Sequence, residues 1–172
     1  MITSIQSILP FLVVVSHVGL LALLVSLLLK NGFAKWVGQH ALTLGLLTAV
    51  VAILGSLFYS NGVGFAPCYL CWWQRVAIYP MFILFVVAVV KYDRGVFKYV
   101  LPLSVIGFIL AAYHSYVQWG GSPLIPCDVT ASCSKLYVYA FGYITIPTMS
   151  LTVVVAFLLL YWANKIHENR HA

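Results

Sequence analysis

Of 172 residues, 63% are hydrophobic and only 7% are charged, which leaves too little polar surface for a chain that faces water on all sides. The mean hydropathy of +1.04 places it among integral membrane proteins. The net charge of +6 does not point to nucleic acid, because Lys and Arg are dispersed in short loops between apolar runs and form no basic block.

Apolar runs at residues 9–29, 41–59, 71–90, 99–119 and 146–162 are long enough, or nearly so, to cross about 30 Å of hydrocarbon at about 1.5 Å per residue. They predict an all-α integral membrane bundle of five spans, one domain over residues 1–172. The last run is the shortest and draws on residues 163–166, with Lys165 reaching back to the interface. The first has no basic residue before Lys30 and is about twice as long as the apolar part of a secretion signal, so it reads as an uncleaved anchor. His17 in its middle is a helix-packing polar residue or part of a proton relay. No partner is visible in the sequence, and packing is the plainer reading.

In the second run Gly45 and Gly55 suit close helix packing. The turn over residues 60–66 is short and glycine-rich, and it holds Cys68 close to the membrane surface. There the chain reads Ala66-Pro67-Cys68-Tyr69-Leu70-Cys71-Trp72-Trp73-Gln74-Arg75. Pro67 fits the first turn of a helix, which places both thiols of this C-x-x-C near that turn. Offsets of three and seven then bring Cys68, Cys71 and Arg75 to one side. A helix N-terminus and a guanidinium both favour thiolate over thiol and can bring a cysteine pKa from about 8.5 into the range of roughly 3.5 to 7.5. A dithiol so placed is equipped to attack or be attacked.

The fourth run ends in a polar stretch with Tyr113, His114 and Gln118. His114 and Gln118 share a helix face at the depth expected for Arg75. Such a histidine either serves a ligand, as hydrogen-bond partner or proton carrier, or is an interfacial residue satisfied by its neighbours. The loop over residues 120–146 carries Cys127, Asp128 and Cys133, then Tyr137, Tyr139, Phe141 and Tyr143. That alternation is better read as an aromatic segment in the interface than as a lone strand with nothing to pair with.

Orientation follows from the basic residues. Lys30, Lys35, Lys91, Arg94, Lys98, Lys165 and Arg170 fall on one side of such a bundle, and only Arg75 and Lys135 on the other. The first side is cytoplasmic by the positive-inside rule. The N-terminus and all four cysteines then lie outside, where disulfides persist, and the C-terminus is cytoplasmic. The cysteine spacings, C-x2-C and C-x5-C, admit a structural zinc site, inert structural disulfides or a redox relay. The second spacing is loose for zinc and neither outer loop holds a histidine, so no metal is expected. Inert disulfides leave unexplained why one pair begins a helix with an arginine on its face.

Cys68-Tyr69-Leu70-Cys71 with Gln74-Arg75, Tyr113-His114 closing a later span, a second cysteine pair after it, and Phe141-Gly142-Tyr143-Ile144-Thr145-Ile146-Pro147 entering the last span resemble the DsbB family of disulfide-forming membrane oxidoreductases, most closely its BdbC-like branch. The related vitamin K epoxide reductase family places its loop pair before the C-x-x-C, the opposite of the order here. The resemblance covers residues 41–162 and implies a four-helix core with outer loops at 60–70 and 120–146, to which residues 1–30 add an extra N-terminal span.

It further implies that Cys68 and Cys71 pass electrons to a quinone, ubiquinone or menaquinone, with Cys71 facing the ring, Arg75 beside it and His114 near it. Cys127 and Cys133 would oxidise a DsbA-like or BdbD-like thioredoxin-fold partner, with Cys127 forming the mixed disulfide. Exchange between the pairs then needs a transient disulfide, plausibly Cys68 with Cys133. The expected setting is the cytoplasmic membrane of a prokaryote, with the redox loops on its outer side. The rival expectation is a non-enzymatic scaffold or small-solute channel whose outer loops are stapled by disulfides.

Overall fold

The computed structural model describes residues 2–122 and 132–169. Among these residues six α-helices follow one another: α1 (Ile2–Leu29), α2 (Gly32–Gln39), α3 (Ala41–Leu57), α4 (Tyr69–Lys91), α5 (Phe97–Gln118) and α6 (Ile146–Glu168). All but α2 belong to segments long and apolar enough to cross a membrane, five in all among the described residues. Their limits follow the hydropathy runs closely, and α6 continues past Lys165 as its short apolar run requires. The loop after Lys30 holds a feature not foreseen, the short helix α2, whose entry is capped by the Asn31 side chain accepting from the Ala34 N–H at 3.1 Å.

α3, α4, α5 and α6 form the bundle: α4 lies between α3 and α5, α6 packs along α5 and α3, and α1 lies on α6. At the end away from the cysteines the core closes on Phe85, whose ring meets Phe97 edge-on and stacks on Phe157, both with centroids 5.6 Å apart. A Cβ at Gly45 would collide with the Phe85 ring, so the glycine lets α3 approach α4. Gly55 behaves otherwise and corrects the expectation of close packing there. Nothing lies within 4 Å of a Cβ built on it, because that face of α3 opens onto a cavity. Arg94 ties the same end together, donating to the Gly38 carbonyl and Asn164 Oδ1, both at 2.8 Å, and to the Gln39 carbonyl at 2.7 Å.

His17 has the partners the sequence could not show. Its Nε2 lies 2.8 Å from Thr152 Oγ1 and its Nδ1 lies 3.2 Å from the Tyr143 hydroxyl, so it fastens α1 to α6 and to the segment before it. That aromatic segment forms no named strand, only an isolated bridge between Ala140 and Ile144. The chain then enters α6 through a capping box of Thr145 and Thr148 with a proline in the first turn.

Candidate functional site

The site is built on the first turn of α4. The helix starts at Tyr69, two residues later than a first-turn Pro67 requires, so Pro67 precedes the N-cap, which is Cys68 in extended conformation. The Cys68 Sγ accepts the Cys71 N–H at 3.3 Å, satisfying one of the donors that a helix start leaves without a partner. The two sulfurs stand 2.8 Å apart as thiols. They nevertheless belong to different surroundings, because Cys71 lines a cavity from which Cys68 is turned away.

The cavity has a volume of about 590 Å³ and is walled by α1, α3, α4 and α6, mainly with aliphatic side chains such as Leu12, Leu20, Val51 and Ile78. Arg75 lies on its wall one turn beyond Cys71. Its Nε donates to Ser56 Oγ at 3.0 Å and its Nη2 to the Ser56 carbonyl at 3.2 Å. The guanidinium carbon sits 5.1 Å from the centroid of the Trp72 ring. Ser56, near the end of α3, holds the cation without a carboxylate, through its hydroxyl and through a carbonyl that also accepts from Ser60 Oγ at 3.1 Å. Tyr79 shares this anchor through a 3.2 Å hydrogen bond to Ser56 Oγ. Ser56 was not singled out in the sequence. The available signal was a hydroxyl at the depth of Arg75 on the neighbouring span.

After α3 the chain makes a π-helical turn, Phe58–Gly62, which presents Tyr59 to the cavity. Its ring is stacked with Phe65 at 6.1 Å, and Phe65 in turn lies 4.8 Å from Tyr137, so an aromatic wall faces the aliphatic one. Tyr59 is only 6% exposed, and its hydroxyl has no hydrogen-bond partner among the described residues.

On its other side Cys68 is buried in a cluster with Leu70, Val117 and Cys133, against which Cys71 and Tyr113 pack. His114, also buried, organises this side. Its Nδ1 lies 3.1 Å from Gln74 Nε2, while its Nε2 lies 3.2 Å from the Cys133 carbonyl and 3.6 Å from Cys68 Sγ. With Gln74 donating to Nδ1, a neutral ring carries its proton on Nε2 and donates it to the Cys133 carbonyl, holding the loop over Cys68. Gln118 adds a second strap, its amide donating to the Lys135 carbonyl at 3.2 Å. His114 and Gln118 thus share a task as well as a face, but His114 stands beside Cys68 and Cys133 and outside the cavity lining. Cys127 and Asp128 lie outside the described residues.

The Cys68 thiol is pushed up to about 12, first by its hydrogen bond with the Cys71 sulfur and second by burial, with His114 pulling the other way. The proton shared by the two sulfurs therefore stays on Cys68. Ligand atoms of Cys68, Cys71 and His114 all lie within 4.8 Å of one another, a spacing within reach of one metal ion. A tetrahedral zinc, however, holds its thiolates about 3.8 Å apart. The 2.8 Å between these sulfurs suits a thiol pair poised for disulfide chemistry.

Residues 38–164 match the family model described as Disulfide bond formation protein DsbB. The chain belongs to the DsbB family. It is 40% identical over 143 residues to a "Probable disulfide formation protein" of Coxiella burnetii, covering 80% of this chain and 92% of that one. It is 38% identical over 130 residues to "Disulfide bond formation protein C" of Bacillus subtilis, covering 74% of this chain and 85% of the relative. A further Bacillus subtilis relative, "SPbeta prophage-derived disulfide bond formation protein B", is 38% identical over 124 residues, covering 69% and 84%. No solved structure matches. Membership of the DsbB family, with five apolar helices, makes this a multi-pass membrane protein of disulfide bond formation. The DsbB match begins after α1, so the helix that supplies Leu12 and Leu20 to the cavity wall lies outside it.

Proposed function

We propose that the protein is a protein-dithiol:quinone oxidoreductase that reoxidises a DsbA-like or BdbD-like thioredoxin-fold partner and delivers two electrons to the membrane quinone pool. The observation that carries this reading is the two-sidedness of the C-x-x-C: Cys71 opens with Arg75 onto an apolar cavity, while Cys68 is buried against Cys133. A quinone is apolar and dissolves in the bilayer, whereas a thioredoxin-fold protein is soluble. A relay between them needs one sulfur on each side and a pair in contact.

The residues present fit a quinone. A cavity of about 590 Å³ is of the size that takes a small organic ligand, its walls are aliphatic and aromatic, and Arg75 offers it a cation. Bound there, ubiquinone or menaquinone supplies an acceptor for two electrons and two protons. In the chain itself, Cys127 and Cys133 take the partner's electrons by disulfide exchange, with Cys127 forming the mixed disulfide. Cys133, held in place by the His114 hydrogen bond to its carbonyl, then exchanges with Cys68. Arg75 steadies negative charge on the cavity side of the pair. The seven-to-two division of basic residues supports an orientation with the cysteine end outside the cytoplasm.

Thiol trapping of the purified protein tests the reading against a disulfide-stapled scaffold. With reduced thioredoxin-fold partner present, all four cysteines should become alkylatable, and adding a soluble quinone should return them to disulfides. Cysteines locked in one state under every condition would leave only the scaffold.

A further inference from the structure

α1 lies outside the DsbB match, yet one of its faces is part of the cavity. Leu9, Leu12, Val13, Ser16, Gly19 and Leu20 line it, at offsets that recur on one side of a helix. The helix is held in this position at two levels. Leu23 and Leu27 are buried in the core beyond the cavity, and His17 fastens the lining half to Thr152 and to the Tyr143 hydroxyl.

The cavity is long and its two ends differ. On α3 the lining runs from Leu44 to Ser56, about 18 Å of helix at about 1.5 Å per residue. Ser56, Cys71 and Arg75 stand at the cysteine end, whereas Leu20, Leu44 and Leu47 line the part further from it. Hydroxyls along this length are turned onto carbonyls of their own helices: Ser16 donates to Val13 at 2.7 Å, Thr48 to Leu44 at 2.8 Å and Thr152 to Thr148 at 2.9 Å. The wall is therefore more apolar than its residue names suggest. Volume points the same way, since a cavity of about 150 Å³ takes one benzene ring. A head group of one or two rings leaves much of the 590 Å³ to something else.

We propose that the lining face of α1 is a subsite for the alkyl tail of the quinone, which runs from the ring at Cys71 and Arg75 along Gly19 and Leu20 towards Leu44 and Leu47. This rests on the quinone reading above and adds to it the place of the tail. Lipid is as apolar as this wall, so the tail gains from close fit rather than from leaving water. Gly19 provides the room for that fit: nothing lies within 4 Å of a Cβ built on it, and a larger side chain there would stand in the path of the tail.

The test uses the full chain in one detergent and calorimetric binding of two ligands, 2-methyl-1,4-naphthoquinone and the same ring with an added decyl chain at position 3. Each variant is compared with the unsubstituted protein for the same ligand, so partition of the ligand into detergent cancels. Gly19→Leu should weaken the decyl compound about tenfold, as an overfilled site does, and leave the tail-less compound unchanged. Leu20→Ala, which removes bulk instead of adding it, should weaken the decyl compound alone by a few-fold. Val18→Leu, on an exposed position off the lining, should change neither. Thermal unfolding of each ligand-free variant establishes that it is folded. If Gly19→Leu and Leu20→Ala weaken both compounds equally, α1 touches the ring or supports the fold, and the tail subsite is overturned. If they alter neither, the tail lies elsewhere or a lipid chain fills this length of the cavity, and it is overturned again. Should the unsubstituted protein bind neither compound and reduce no quinone, the quinone reading itself falls.

Discussion

Arg75 is the residue whose position is most expensive to maintain, since a guanidinium inside a membrane must be held by acceptors. Ser56 supplies two of them, one from its side chain and one from its backbone. Only the first can be removed by mutation. Arg75→Ala should therefore raise the apparent KM for quinone by about ten- to a hundredfold, the range expected for a lost hydrogen bond to a charged group. Ser56→Ala, which leaves the carbonyl in place, should raise it only a few-fold. Arg75→Lys should fall between the unsubstituted protein and Arg75→Ala, because an ammonium keeps the charge but not the fork that reaches both Ser56 oxygens. Steady-state kinetics with a soluble quinone checks the order, and an Arg75→Lys as poor as Arg75→Ala would mean that charge is not what Arg75 contributes.

At the same scale, the raised pKa of Cys68 has a definite sign. A thiol is neutral when protonated, so a pKa of about 12 in place of about 8.5 leaves about one thiolate in a thousand at pH 9, where an ordinary cysteine is mostly ionised. In the reduced protein Cys68 should then be alkylated several hundredfold more slowly than a model thiol at pH 9. Cys71→Ala removes the largest cause of the shift, so the onset of Cys68 alkylation should move to lower pH. Mass spectrometry of the alkylated peptide across pH 7–10 reads both. Fast alkylation of Cys68 in the Cys71-containing protein would show that the shared proton is not held on Cys68.

Elements show how far the sequence could be read and where it stopped. Hydropathy sets five long helices because backbone polar groups in lipid must be satisfied within the segment, and this constraint leaves little choice of structure. It says nothing of the rotation of each helix, and the two glycines of α3 show the difference. Gly45 and Gly55 look alike in an apolar run, yet one faces the Phe85 ring and the other a cavity. Ser56 as the anchor of Arg75, Gln74 on His114 and Tyr59 without a partner were invisible for the same reason, since each depends on which face of a helix meets which neighbour. Cys71 and Arg75 were legible because an offset of four keeps its meaning on one helix face. Cys68, read onto that face, stands instead at the extended N-cap and away from the cavity the other two line, because helix periodicity does not extend to the residue before the first turn. Gly45→Ala should lower stability by about 1–3 kcal/mol through overpacking against Phe85. Gly55→Ala should leave stability unchanged or slightly higher, as Ala replaces Gly in a helix, while its methyl enters the cavity and weakens quinone binding. Thermal unfolding and quinone affinity of the two variants separate these outcomes, and equal destabilisation would mean that Gly55 is packed after all.

For the whole molecule, the decisive relation is between two environments that a single helix turn divides. The cavity is reached by Cys71 and the loop side by Cys68, so removing one end of the relay should leave the other working. Cys127→Ser should abolish oxidation of the thioredoxin-fold partner while Cys68 and Cys71, once reduced chemically, are still reoxidised by quinone. Cys71→Ser should abolish reoxidation by quinone and still permit one round of exchange between the partner and an oxidised Cys127 and Cys133 pair. His114→Ala belongs with the first class, because its Nε2 meets the Cys133 carbonyl and the Cys68 sulfur, and it touches the cavity wall only through Gln74 without lining the cavity itself. It should slow transfer between the pairs more than it changes the KM for quinone. Quenching each half-reaction with acid and trapping the thiols reads the two steps separately. If Cys127→Ser and Cys71→Ser lose both half-reactions to the same extent, the two pairs act as one unit, and the division of the site between Cys68 and Cys71 has no functional meaning.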